Sequence, residues 1–280
     1  MPTAHFPPRL PKLIALDMDG TLLNAQGQIP EEFWPILERA HELDVIIAPA
    51  SGRQLATLQS MFTGRERVPL SYIAENGTVV YHDGEIIDSS VIPAEAVERV
   101  LQAVADINVD FELVLCTPEV AFVSDSLGQD SSRELNKYYH SQLPVSDSHS
   151  AARENDIIKI AIYSPAGSED HIAPVIDKAV PDQNIAVSGK AWLDIMPAGA
   201  DKGRALSHMA QKLGIEIADT VAFGDYLNDY ELLQAAGTAV AMDNAHPRLK
   251  EIADLIAPSN VENGVVVTVS EFFDSFAASE

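Results

Sequence analysis

The chain has 280 residues, of which 46% are hydrophobic, enough for one large or two moderate cores. Forty-two acidic against 18 basic residues give a formal net charge of −24. That surface repels nucleic acid and anionic membranes, so neither is an expected partner, and a site for an anionic substrate must supply its own local positive charge. The single Cys116 has no partner for an internal disulfide and reads as strand packing. No stretch reaches the ~20 apolar residues of a membrane helix, and Met1 to Pro11 lacks a signal-peptide core. A soluble, cytoplasmic protein is expected.

Leu13-Ile14-Ala15-Leu16 predicts a buried parallel strand that runs into Asp17-Met18-Asp19-Gly20-Thr21-Leu22-Leu23. Carboxylates two residues apart on extended backbone project to the same side. Their repulsion at a strand end demands a cation or a proton between them. Gly20 permits a sharp turn there and the Thr21 hydroxyl can hold it. Phe33, Ile36, Leu37 and Ala40 then stripe a helix, and Val45 to Ala48 form a strand ending at Ser51-Gly52-Arg53. Leu55, Leu58 and Phe62 mark a second helix. A third strand, Ser71 to Ala74, ends at Glu75-Asn76-Gly77, and a hairpin over Thr78 to Ile87 closes at Asp83-Gly84. This strand-helix alternation predicts an α/β, doubly wound parallel sheet.

From residue 88 the pattern changes. A helix on Val97, Val100, Leu101 and Val104 precedes an antiparallel pair, Phe111 to Cys116 and Val120 to Val123. The polar stretch Ser124 to Ser150 holds one expected helix whose bulky residues are Leu135, Tyr138 and Tyr139. Ile157 to Tyr163 reads as a strand and Ile172, Val175, Ile176 and Ala179 as a helix. Ile185 to Val187 and Trp192 to Ile195 read as a hairpin around Gly189-Lys190. These elements predict an inserted α+β domain. After Pro197 the alternation returns. A helix through Leu206 and Leu213 stops at Gly214, and the strand Thr220 to Phe223 ends at Gly224-Asp225-Tyr226-Leu227-Asn228-Asp229. A helix with Leu232 and Leu233, the strand Thr238 to Met242, a helix over Leu249 to Ala253 and a helix over Val265 to Phe276 complete the chain.

Sites in open parallel sheets form outside the carboxyl ends of the strands. If these strands are neighbours, the clusters at Asp17/Asp19, Ser51, Asn76 and Asp225 converge on one crevice. Lys202, at the start of a helix, can enter it as the required local cation. Such a set suits phosphoryl transfer. Asp17 is a carboxylate nucleophile, Asp17 and Asp225 are hard ligands suited to Mg²⁺, and Ser51 and Lys202 can hold phosphoryl oxygens.

The chain resembles the haloacid dehalogenase superfamily, specifically its Cof-type sugar-phosphatase branch. The resemblance rests on Asp17 to Leu23, on Ser51 before Gly52-Arg53, on Lys202 to Leu206 and on Gly224 to Asp229. Glu75-Asn76-Gly77 and Met242-Asp243-Asn244-Ala245 resemble two further signatures. The resemblance implies a Rossmann-like core over residues 1–87 and 193–280 and an inserted α+β cap over residues 88–192. It implies Asp17 as nucleophile and Asp19 as general acid and base. Ser51, Gly52, Lys202 and Asn228 would bind phosphate, and Asp17, Asp225 and the Asp19 carbonyl would hold Mg²⁺. Arg53, Asn76 and Asp229 would support the site. The expected activity is hydrolysis of a small phosphomonoester such as a sugar phosphate, through an aspartyl-phosphate.

Asp243 and the bulky Tyr226-Leu227 depart from the family pattern without removing a catalytic atom. Tyr138 and Arg133 are candidates for setting specificity. Two rivals share parts of this chemistry. A receiver-type signalling domain is much shorter and lacks the second carboxylate. A phosphomutase on the same core needs a second phosphate site in the cap, for which Arg99, Arg133 and Arg153 are the available cations.

Overall fold

The computed structural model describes residue 7 and residues 9–64, 68–187 and 190–277. The reading of the N-terminus falls mostly on residues 1–6 and 8, and that of the Gly189 turn on residues 188–189, all outside the described residues.

In chain order the elements begin with β1 (Leu13–Asp17), α1 (Phe33–Glu42), β2 (Ile46–Ala50), α2 (Leu55–Met61), β3 (Tyr72–Ala74), β4 (Val79–His82) and β5 (Glu85–Ser89). There follow α3 (Ala94–Ala103), β6 (Glu112–Cys116), β7 (Ala121–Ser124), α4 (Gln129–Leu135), β8 (Gln142–Val145), α5 (Ser148–Glu154) and β9 (Lys159–Tyr163). Next are α6 (Ser168–His171), α7 (Ala173–Ala179), β10 (Asn184–Val187) and β11 (Trp192–Met196). The chain then forms α8 (Lys202–Leu213), β12 (Thr220–Gly224), α9 (Tyr230–Ala235), β13 (Thr238–Met242), α10 (Pro247–Ile252), β14 (Leu255–Ala257) and α11 (Gly264–Ala277).

These elements divide into two compact units, one of Met1–Ser51, Met61–Asp88 and Asp201–Glu280, the other of Gly52–Ser60 and Ser89–Ala200. The first contains an eight-stranded sheet in the order β14-β13-β12-β1-β2-β3-β4-β5. Its strands are parallel from β14 to β3, and β4 turns back antiparallel on β3. Every residue of β1, β12 and β13 is buried, as near-continuous apolar strands covered on both faces should be. β1 sits between β2 and β12, with Asp17 opposite Ala50 and Leu16 opposite Phe223. Strand order runs one way from β1 through β2 and β3, and the other way through β12 and β13. That reversal opens a crevice beyond the carboxyl ends of β1 and β12. The tight β4–β5 turn puts Asp83 and Gly84 at φ 45° and 90°, the left-handed pair expected of a two-residue hairpin.

The second unit is built on a six-stranded sheet, β10-β11-β9-β6-β7-β8, antiparallel except for the parallel pair β7–β8. Strand alternation sends Ile160, Ile162, Leu193 and Ile195 into one core with Val97, Val100 and Leu101 of α3 and Ile176 of α7. Trp192, out of register with that set, instead packs with Tyr138, Tyr139 and Tyr163 at ring-centroid distances of 5.3, 6.0 and 5.1 Å.

Two segments fall differently from the division drawn on the sequence. A boundary at 192/193 would cut β11, which pairs with β9 and β10, so the second unit runs on to Ala200. Gly52–Ser60 also groups with the second unit. The Gln54 side chain there bonds both the N–H and the carbonyl of Ser141, at 2.8 and 2.9 Å, and the Thr57 hydroxyl donates to the Tyr138 carbonyl at 2.8 Å. The helix expected to include Tyr138 and Tyr139 ends at Leu135. Beyond it, β8 and α5 form in a stretch too polar to show periodicity, and β14 is likewise an addition. Cys116 is buried in β6. Among the described residues no helix is long and apolar enough to cross a membrane.

In the first unit α8 and α9 meet closely at Gly203, where an added Cβ would lie 2.1 Å from the Glu231 carbonyl oxygen. Gly203→Ala should therefore destabilise the protein by about 2 kcal/mol, a typical cost of overpacking. Gly128→Ala, whose Cβ meets nothing within 4 Å, should change stability by less than about 0.5 kcal/mol. Chemical denaturation midpoints of the two variants check this.

Candidate active site

β1 delivers Asp17 to the crevice with only 5% of its surface exposed. The chain then turns through Met18–Leu22, and the Leu23 N–H closes the turn on the Met18 carbonyl at 2.8 Å. Gly20 is required there twice over. Its φ is +85°, and a Cβ would lie 2.3 Å from Asp225 Oδ2. Thr21 Oγ1 donates to the other Asp225 oxygen, Oδ1, at 3.3 Å. The hydroxyl thus bridges two loops, while the backbone closes its own turn.

β12 brings Asp225 to the same end of the sheet. The loop after it is tied by Asp229, whose Oδ2 accepts from the backbone N–H groups of Asp225 and Tyr226 at 3.1 and 3.3 Å. Asp229 is fully buried. α8 starts at Lys202 because the Asp201 side chain caps it, accepting from the Arg204 N–H at 2.7 Å. That start leaves Lys202 1% exposed, with Nζ donating to Asp17 Oδ1 and Asp229 Oδ1, each at 2.6 Å.

The third strand end fits against the same helix start. Glu75, Asn76 and Gly77 all adopt left-handed φ, 52°, 56° and 95°. Such a run is costly for non-glycine residues and is held only by its surroundings. A Cβ on Gly77 would lie 2.3 Å from the Asp201 carbonyl oxygen. The Asn76 N–H donates to the Ser51 carbonyl at 3.0 Å, while the Ser51 N–H donates to Ile73 at 2.9 Å. Ser51 is thereby fixed and buried.

Asp17, Ser51, Asn76, Lys202, Asp225 and Asp229 therefore belong to one set of strand ends in the first unit. Asp19 and Asn228 are exposed residues of the same loops. Gly52 and Arg53 belong to the second unit. The Gly52 carbonyl accepts from Lys159 Nζ at 2.8 Å. Arg53 Nη1 donates to the Lys137 carbonyl at 2.9 Å, with its guanidinium 5.2 Å from the Tyr138 ring centroid. Arg133 lies 3.5 Å from Asp130 with 77% of its side chain exposed. Tyr226, half exposed, sets its ring edge-on to His246 at 6.0 Å.

Two asparagines also reach the Asp19 turn. Asn244 Nδ2 donates to the Gly20 carbonyl at 2.8 Å, and Asn260 Nδ2 donates to the Leu23 carbonyl at 2.8 Å. Asn244 stood in a recognised signature but carried no role, and Asn260 carried no signal, since a side-chain amide bonded to a distant backbone leaves no periodicity to read.

Carboxylate oxygens of Asp17, Asp225 and Asp229 all lie within 4.8 Å of one another. Burial pushes the Asp17 pKa well above the usual carboxylate range and Asp229 adds to it, against the opposing pull of Lys202. Burial likewise raises Asp225 to about 6, helped by Asp229 and opposed by the Thr21 hydrogen bond. Burial works against the charge on Lys202, yet Asp17 and Asp229 hold its pKa above the ordinary lysine value. Asp229 already has both oxygens committed, one to Lys202 and one to the two backbone N–H groups. Asp17 and Asp225 are left as hard oxygen donors whose charge needs further compensation. That donor set fits a divalent cation such as Mg²⁺, which takes one or two carboxylates and completes its shell with water and phosphate oxygens.

A family model described as haloacid dehalogenase-like hydrolase matches residues 14–269. YxeH of Bacillus subtilis, provisionally named a phosphatase, is 30% identical over 270 residues, covering 93% of this chain and 97% of the relative. The 5-amino-6-(5-phospho-D-ribitylamino)uracil phosphatase YwtE of Bacillus subtilis is 27% identical over 284 residues, with 93% and 97% covered. A crystal structure from Eubacterium rectale superimposes with a TM-score of 0.82 at 29% identity, covering 93% of this chain and 98% of that one.

A carboxyl group whose pKa is raised by folding binds its proton more tightly folded than unfolded. The chelator-treated protein should therefore lose stability as pH rises from the ordinary aspartate value of 3.8 through about 6. Thermal midpoints in EDTA should fall between about pH 4 and pH 6, and Asp225→Asn should make that slope shallower.

Proposed function

This chain belongs to the haloacid dehalogenase-like hydrolase family, and from that premise we propose that it hydrolyses the phosphomonoester of a small metabolite through an aspartyl-phosphate on Asp17. The observation that carries the reading is the ammonium of Lys202, buried between Asp17 and Asp229 beside Asp225, at the carboxyl ends of β1 and β12. A lysine so placed pulls Asp17 towards its ionised, nucleophilic form against the effect of burial, and stands ready to meet the oxygens of a transferring phosphoryl group.

In this reading Asp17 attacks phosphorus. The bond from phosphorus to the alcohol oxygen breaks, and the departing oxygen takes a proton from Asp19. Water then attacks the aspartyl-phosphate while Asp19 accepts its proton, and the bond to Asp17 breaks to release inorganic phosphate. Ser51, Gly52, Asn228 and Lys202 bind the phosphoryl oxygens. Asp229 orients Lys202 and the Asp225 backbone, while Asn76 fixes Ser51 and Arg53 supports its loop. Asp17, Asp225 and the backbone carbonyl of Asp19 would hold Mg²⁺, which supplies hard positive charge against the carboxylates and the phosphoryl group.

A sugar phosphate or a similar phosphomonoester is the proposed substrate class. The relative named for a ribitylamino-uracil phosphate supports a phosphorylated, hydroxyl-rich metabolite. A mutase would need cap arginines for a second phosphate. Of the three candidates, Arg99 is instead paired with Asp182 at 2.8 Å, which weighs against its serving there.

EDTA should abolish turnover of an aryl phosphate and Mg²⁺ should restore it; full activity in excess chelator would remove the metal from the reading. Asp17→Asn should show no phosphate adduct by intact mass after acid quench. Asp19→Asn should load phosphate on Asp17 and shed it about a hundredfold more slowly or worse. An adduct on any other residue would overturn the assignment of the nucleophile.

A further inference from the structure

The two asparagines that reach the Asp19 turn are joined to each other as well. Asn244 Oδ1 accepts from the Asn260 backbone N–H at 3.0 Å, while its Nδ2 donates to the Gly20 carbonyl. Asn260 Nδ2 then takes the Leu23 carbonyl. All four residues belong to the first unit. The relay grips the turn at two places, directly after Asp19 and at the residue where the turn closes. Both amides have their orientation fixed by use, since only the NH₂ end of an asparagine can donate to a carbonyl.

The turn needs such a grip. Gly20, the residue next to Asp19, has no Cβ to restrict its backbone, and the turn ends where the Leu23 N–H bonds the Met18 carbonyl. Asp19 follows Asp17, one of three clustered carboxylates, by two residues.

We propose that Asn244 and Asn260 are positioning residues for Asp19, acting through the Gly20 and Leu23 carbonyls. The inference rests on the phosphatase reading, in which Asp19 must come within hydrogen-bonding reach of the departing oxygen. Its distinctive consequence is dependence on the leaving group. kcat/KM reports steps up to transfer of phosphorus onto Asp17. An aryl alcohol leaves without a proton, whereas an alkyl alcohol needs one from Asp19.

The test compares kcat/KM for p-nitrophenyl phosphate with that for the alkyl phosphomonoester the wild type turns over best, in Asn244→Ala, Asn244→Asp and Asn260→Ala. Asn244 is exposed, so its truncation opens no cavity, and Asn244→Asp keeps the acceptor for Asn260 while losing the donor to Gly20. Alkyl kcat/KM should fall about tenfold further than aryl kcat/KM, the order expected for a misplaced catalytic group, any loss through the Asp19 carbonyl being common to both substrates. In an Asp19→Asn background the Asn244→Ala effect should vanish, because the two then act through one group. Equal losses on both substrates, no loss on either, or an undiminished effect in the Asp19→Asn background would overturn the proposal. An inactive wild type would instead remove the phosphatase reading on which it stands.

Discussion

One buried ammonium organises the catalytic end of the first unit. Lys202 Nζ lies 2.6 Å from both Asp17 and Asp229, and the three side chains are almost wholly removed from water. Taking one partner out of such a group leaves an uncompensated buried charge, at a cost of about 3–5 kcal/mol. The backbone around it is shaped to let one lysine side chain reach both the end of β1 and the loop after β12. Asp201 caps α8 so that the lysine is its first residue, Gly77 lets the strained turn after β3 lie against that start, and Gly203 lets α9 follow close behind. Asp229 meanwhile turns the same ion pair into a brace for the Asp225 backbone.

This arrangement changes the electrostatic argument drawn from composition. An acidic protein acting on an anion needs local positive charge, and Lys202 is the cation placed to supply it. Its charge is already shared between two aspartates, with a third carboxylate alongside. The pocket floor is therefore net negative when all its groups are ionised, and the upward displacement of Asp17 and Asp225 expresses that excess. In the proposed reading a divalent cation is what reverses the sign and favours ionised Asp17, and the lysine's task is to keep Asp17 oriented.

Much of this was legible in the residues. Apolar runs ending in polar clusters located β1, β2, β3 and β12, and the parallel order of those strands places the clusters side by side. Strong stripes such as Val97, Val100 and Leu101 located α3. What escaped had no periodic signal. β8 exposes Leu143 and carries a proline, α5 buries little beyond Ala151, and β14 is three residues long. The attachment of Gly52–Ser60 to the second unit depends on side-chain amides and hydroxyls bonding backbone more than 80 residues away. Asn260 is invisible for the same reason.

The order of the strands also bears on how the chain is made. β1 pairs on one side with β2, synthesised soon after it, and on the other with β12, whose Thr220 stands opposite Leu13. Lys202 and Asp17 are 185 residues apart. On the ribosome, β1 therefore waits with one edge unpaired and Asp17 without its counter-charge while the whole of Ser89–Ala200 emerges. That intervening stretch carries most of the second unit and can collapse first, whereas the first unit must close a long loop before its central strand is satisfied. An open, apolar strand edge is a hazard for association during that delay. The interval between translation of β1 and of β12 is thus the aggregation-sensitive window for this protein, and factors that shield nascent chains should matter most within it.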